Sequence, residues 1–139
     1  MRWLAIDLGS TRIGTAISDE LGMLAHPLKT LSNSPDFIPV LKGIVKEKEI
    51  TGIVLGMPRN LNGTFGPAAE KAREVAAQLK KELPHLRVVT WDERMTTVEA
   101  QRLLHAAGRD VKKSRPVIDQ VAAQILLQSF LDSLQLSEE

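Results

Sequence analysis

The chain has 139 residues, of which 43% are hydrophobic, 25% charged and 4% aromatic, with 9 Gly and 7 Pro. That composition excludes intrinsic disorder, collagen and coiled coil, and the length suffices for one adequate core but not for two sizeable ones. Lys plus Arg number 18 against 17 Asp plus Glu, a net charge of +1, so any basic surface for a polyanionic partner has to be local. With no cysteine, disulfide scaffolds and Cys-based zinc, iron–sulfur or nucleophile chemistry drop out, and the cytosol is the simplest compartment. The opening residues Met1 to Asp7 meet a charge before a signal peptide's apolar run can form, and no run reaches the roughly eighteen apolar residues a membrane span needs, so a soluble protein without a membrane partner is expected.

In chain order, three strands come first: Trp3 to Asp7, about Arg12 to Ser18 and about Ala25 to Thr30, with Gly9, Gly14 and Gly22 near the turns. Three strands before any helix predict an antiparallel meander. Ser34-Pro35 opens a helix to about Glu49, in which Phe37, Ile38, Leu41 and Val45 recur at helical spacing. Ile53-Val54-Leu55, ended by Gly56 and Pro58, reads as a strand buried on both faces. A helix from about Pro67 to Leu83 carries Ala72, Val75, Ala76, Leu79 and Leu83 on one side and stops at Pro84; Arg87 to Trp91 is the next strand. Thr96 or Thr97 caps a helix to about Ala107, Arg109 to Arg115 forms a basic loop, and Pro116 starts a last helix to about Leu134, with a frayed tail over 136–139. The order βββαβαβαα predicts an α/β fold in a single domain over 1–135. A mixed five-stranded sheet, its first three strands antiparallel and with helices on both faces, is the economical architecture.

Three acidic elements stand where chemistry is possible. Asp7 ends a buried strand, with Gly9 just beyond it and Gly14 in the returning strand, so a phosphate or a metal can approach closely; an Asp that only bonds turn amides would look the same. Asp92-Glu93-Arg94 follows the strand ending at Trp91. Alternation sends successive side chains to opposite faces, so one of the two carboxylates faces the side of Asp7; Glu93 is favoured, although the period alone does not exclude Asp92. Asp119, one turn into the last helix, lies along the side of Ala122, Ala123, Leu126 and Phe130, where an Asp favoured only by the helix dipole would also fit.

Carboxylates gathered at one place repel each other until a proton or a divalent cation relieves them, and hard oxygen donors select magnesium or manganese over zinc. Such a cluster suits in-line hydrolysis of a phosphodiester. His26, His85 and His105 are scattered without metal-ligand spacing and read as surface or turn residues. The loop Gly56 to Thr64 offers backbone amides and Arg59 to a phosphate without the Gly-Lys-Ser/Thr of a P-loop. Arg109, Lys112, Lys113 and Arg115 form a basic patch just before the helix of Asp119, suited to backbone contacts rather than base readout.

The constellation resembles the YqgF family, within the ribonuclease H-like superfamily that also holds the RuvC resolvases. The resemblance rests on Asp7-Leu8-Gly9-Ser10-Thr11-Arg12-Ile13-Gly14, on Gly56-Met57-Pro58 with Asn62-Gly63-Thr64, on Asp92-Glu93-Arg94-Met95-Thr96-Thr97 and on Ile118-Asp119-Gln120-Val121-Ala122-Ala123. It spans nearly the whole chain. It departs at Thr11, where many members carry Lys, and in a basic segment interrupted by Ser114 and Pro116. The resemblance implies a ribonuclease H-like sheet and a nuclease dependent on Mg or Mn. Asp7, Glu93 and Asp119 are then its metal ligands, Asp92 is the alternative acid, and Gly9, Arg12, Arg59, Asn62, Arg94, Lys112, Lys113 and Arg115 are the substrate contacts. Family members are described as nucleases that mature the 5′ end of pre-16S ribosomal RNA and, from fold kinship, as Holliday junction resolvases; pre-rRNA is the favoured partner here, with branched DNA as the alternative. Either a monomer or a homodimer is compatible. Two other readings compete: a nucleic-acid-binding module without catalysis, and an ATP-handling protein, because Asp7 to Gly14 also resembles the first phosphate loop of actins and sugar kinases. Length argues against the latter, which needs a second lobe to close over its nucleotide.

Overall fold

A computed structural model describes residues 1–58, 66–93 and 115–138, with side chains of the last helix from Gln120 to Gln135. The elements are β1 (Trp3–Leu8), β2 (Arg12–Ser18), β3 (Ala25–Ser32), α1 (Phe37–Glu47), β4 (Gly52–Met57), α2 (Pro67–Glu82), β5 (Arg87–Asp92) and α3 (Arg115–Glu138). The sheet order is β3-β2-β1-β4-β5, with β1, β2 and β3 antiparallel and the β1–β4 and β4–β5 pairs parallel. The expected mixed sheet with an antiparallel start is therefore present.

Alternation along the strands divides the core in two. Leu4, Ile6, Ile13, Ile53 and Leu55 face α1 and α2. Trp3, Ala5, Ala16 and Val54 face α3, meeting Ala123, Leu127, Phe130 and Leu131. The alanines on this second face let the helix lie close to the sheet. The ring of Trp3 needs more room and takes it from its β4 partner Gly52, where a Cβ would overlap the indole. All six residues of β4 are buried, as its apolar run predicts.

The boundaries differ from expectation in instructive places. α1 begins at Phe37 rather than Ser34-Pro35, because Ser34 closes a turn with the Phe37 amide; the proline tolerated in the first helical turn is Pro39. Gly56 and Met57 belong to β4, not to the loop after it, since they pair with Trp91 and Asp92 of β5. α3 starts at Arg115 and continues to Glu138, so Arg115 is helical rather than part of a basic loop. The helix expected over 96–107 and the remainder of that loop lie outside the described residues.

The direction of α3 decides what its first turns can meet. Gln128 bonds the Met23 carbonyl and the Ala25 amide, Gln124 bonds the Ala25 carbonyl, and Gln120 reaches Thr30. The helix thus runs opposite to β3, and therefore opposite to β1, β4 and β5 as well. Its start lies over the carboxyl ends of these strands, while Phe130, further along, packs edge-on against Trp3 at their amino ends (4.8 Å between centroids).

Candidate active site

Asp7 occupies β1 opposite the buried Gly14 of β2, which has no side chain to set beside the carboxylate. Asp7 shares the parity of Trp3 and Ala5 and hence the α3 face. Beyond it the strand leaves through Gly9, whose amide bonds the Arg12 carbonyl; a Cβ at Gly9 would collide with that same oxygen. The turn is tied to the end of β3 by Asn33, whose side chain bonds the Gly9 carbonyl (2.7 Å). Gly9 therefore serves a close approach of backbone to backbone, and Arg12 begins the returning strand, half-buried.

Glu93 follows β5 directly. Val89 and Trp91 pack on the α3 side and Val88 on the other, so alternation sends Asp92 away from α3 and Glu93 toward it. The Glu93 carboxylate lies over Gly56 of β4: a Cβ built there would stand 2.9 Å from Glu93 Oε1 and 3.1 Å from Leu126 Cδ2 of α3. Gly56 is thus the floor on which this side chain rests. Sequence reasoning missed that role, although a glycine inside a strand buried along its whole length is itself a signal that another group approaches closely.

From Gly56 the Glu93 carboxyl reaches across to Asp7 and shares a hydrogen bond with it. Burial is the first cause that raises Glu93 to about 7; the hydrogen bond to Asp7, the charge of Asp7 and the charge of Asp92 add to it. This carboxyl pair at the carboxyl edge of the sheet therefore retains a proton well above the usual carboxylate range.

Asp119 lies in the first turns of α3, about two turns ahead of Leu126, and so its backbone stands over the same edge. Its side chain, like that of Arg115, lies outside the described residues, as do Arg59, Asn62, Arg94, Lys112 and Lys113. Among the described residues no group of three metal-ligating side chains is assembled; of the expected metal ligands, Asp7 and Glu93 have described side chains, and Asp92 turns to the other face. His26 and His85 are exposed and distant from the pair in the fold, as expected of surface residues.

The family profile described as RuvX, Holliday junction resolvase, matches residues 1–133. The chain belongs to the RuvX family. RuvX is the YqgF family of the sequence resemblance, and its match covers all the elements that position Asp7, Glu93 and Asp119. Curated relatives in this family include proteins named "Putative pre-16S rRNA nuclease" from Geobacillus kaustophilus, 46% identical over 137 residues covering 96% of this chain and 99% of that one, and from Halalkalibacterium halodurans, 43% identical over 141 residues covering 98% and 99%. Solved structures share the ribonuclease H-like fold of this RuvX chain at low identity. A Thermus thermophilus RuvC in complex with Holliday junction substrate aligns with TM-score 0.66 and 12% identity over 98% of this chain and 96% of that one. The Fowlpox virus resolvase with Holliday junction DNA aligns with TM-score 0.60 and 12% identity over 96% and 99%.

Proposed function

We propose that this RuvX-family chain is a divalent-metal-dependent nuclease that hydrolyses phosphodiester bonds in maturing the 5′ end of pre-16S rRNA. The observation that carries the reading is the half-buried, hydrogen-bonded Asp7–Glu93 pair at the carboxyl edge of the sheet, beneath the start of the helix that bears Asp119. The names of its full-length relatives support the substrate.

The pair suits a hard cation. Two carboxyl groups close enough to share a proton repel strongly once both are ionised, and partial burial limits screening by water. Magnesium or manganese, which prefer carboxylate oxygens, relieve the same repulsion with two charges instead of one. Asp7 and Glu93 would hold the ion, with Asp119 as the third donor. When bound, such an ion activates water and stabilises the leaving oxygen.

The chain's own groups do the rest. Asp7 pairs with Gly14 of β2 and directly follows Ile6, which is paired on both sides of β1, so its carboxylate is oriented before substrate arrives. Glu93, whose carboxyl is raised by burial and by Asp7, would give up its proton to solvent as the ion binds, leaving both carboxylates charged to hold it. Asp92, turned to the other face, acts on Glu93 through its charge. Gly9 and Arg12 border the entry side, while Arg59, Asn62, Arg94, Lys112, Lys113 and Arg115 supply contacts to the nucleic-acid backbone.

The test is cleavage of a labelled pre-rRNA 5′ leader with Mg or Mn by wild type, Asp7→Asn and Asp119→Asn. Both variants are expected to lose at least about 100-fold in rate, and EDTA to abolish cleavage. Equal activity in all three proteins would reject the site. Branched DNA is the second substrate, favoured by the likeness of the fold to junction-bound resolvases. Cutting a symmetric junction needs two active sites, so this reading requires a homodimer in light scattering, whereas RNA trimming proceeds with a monomer.

A further inference from the structure

At the amino edge of the sheet, opposite the carboxylate pair, a cavity of about 600 Å³ opens between the turn after β2 and the end of α3. Its walls are Met1, Trp3, Leu21, Met23 and Leu134; among the described residues Arg87 is its charged side chain, while the Met1 ammonium is already held by the Glu20 carbonyl (3.0 Å). The Arg87 guanidinium stacks over the Trp3 ring, 5.8 Å from the centroid, and among the described residues no carboxylate pairs with it. The neighbouring Arg2 is already engaged, by Glu20 at 3.2 Å and by the Lys48 carbonyl at 2.8 Å.

Apolar side chains continue past the rim. Leu21 is 78% exposed, Leu24 56%, Met1 52% and Met23 47%, and no other stretch of the described chain gathers so many large exposed apolar residues. The turn that presents them is rigid. The Asp19 carboxylate accepts the amides of Met23 (2.8 Å) and Leu24 (3.4 Å), and Gly22 takes the left-handed conformation (φ 69°) that lets the chain reverse. A contiguous apolar patch held in a fixed conformation loses little entropy on association, which is how binding surfaces differ from incidental exposure.

We infer that this cavity and its rim bind a protein partner through a short acidic, apolar segment, with a large hydrophobic side chain between Trp3, Met23 and Leu134 and a carboxylate on Arg87. The guanidinium, which has no carboxylate partner among the described residues and lies over an apolar floor, sets the charge of the occupant. The rim, extending beyond the cavity, calls for a peptide rather than a small carboxylate. Because the surface lies at the opposite end of the strands from Asp7 and Glu93, partner and nucleic acid can be held at once, and the inference does not depend on the nuclease reading.

The experiment pans a random twelve-residue phage peptide library on wild-type protein, with counter-selection on Arg87→Glu, and measures selected synthetic peptides by fluorescence anisotropy. Selected peptides are expected to place Asp or Glu beside Phe, Leu or Trp. They should bind Asp7→Asn like wild type, and both Arg87→Glu and Leu21→Ser about tenfold or more weaker. Both altered side chains are exposed, so unchanged melting temperatures are expected to separate lost binding from lost folding. No enrichment over the counter-target, enrichment of basic or uncharged peptides, or loss of binding in Asp7→Asn would overturn the inference. So would a dimer in sedimentation that Leu21→Ser dissolves, since the occupant would then be a second copy of this chain.

Discussion

Glu93 illustrates a residue whose interests in folding and in chemistry conflict. Its folded value of about 7 lies above the ordinary 4.5, so between these pH values the folded chain holds a proton that the unfolded chain releases. Stability therefore falls as pH rises through that window, and above it a charged Glu93 faces a charged Asp7. Glu93→Gln removes the titration. In EDTA we expect this variant to match wild type near pH 4.5 and to exceed it by about 1 kcal/mol at pH 8, a figure discounted for partial solvent screening, in urea denaturation. Added Mn²⁺ should stabilise wild type at pH 8 and not the variant. That the acid after Trp91 would face Asp7 was partly legible, because strand alternation demands that one of Asp92 and Glu93 do so. That Gly56 makes room for it was not, because a glycine at the end of an apolar run reads equally as a terminator.

At the scale of elements, most of the fold was visible in periodicity: β2 carries the predicted bounds, and the other strands and the described helices depart by a few residues at their ends. The departures come from chemistry that periodicity does not encode. α1 ends in a full Schellman arrangement, with the Ile50 amide on the Val45 carbonyl (3.0 Å) and the Glu49 amide on Lys46 (3.4 Å), yet its left-handed residue is Glu49 at φ 55° rather than glycine. With no glycine to mark it, the stop could be placed only approximately from sequence. Glu49 is exposed, so Glu49→Gly relieves backbone strain without removing a packed group; a gain of about 1 kcal/mol is expected in urea denaturation. The bulge between β2 and β3 is similarly hidden: Thr15, fully buried, bonds both the amide and the carbonyl of Lys29 where the register shifts. A threonine in a strand is unremarkable until its partner strand is known.

For the molecule as a whole, β1 and β4 form a spine covered by helices on both faces. Leu4, Ala5, Ile6, Ile53, Val54 and Leu55 have no solvent exposure, whereas β3 alternates with solvent along most of its length. Native-state hydrogen exchange followed by NMR is expected to find the slowest amides at these six positions, exchanging only on global unfolding, and earlier opening in β3. The spine also carries Asp7, so the acid is anchored in the part of the chain least able to yield. Sequence made this layering legible through two opposed periodicities, while the meeting of Asp7 with Glu93 depends on a parallel pairing that no local pattern announces. The glutamines of α3 have a consequence for colony as well as for fold: by occupying the amide and carbonyl of Ala25 at the entry of the outermost strand, they deny a stray extended chain its first rung. At that one position the margin of the sheet is closed to edge-to-edge pairing.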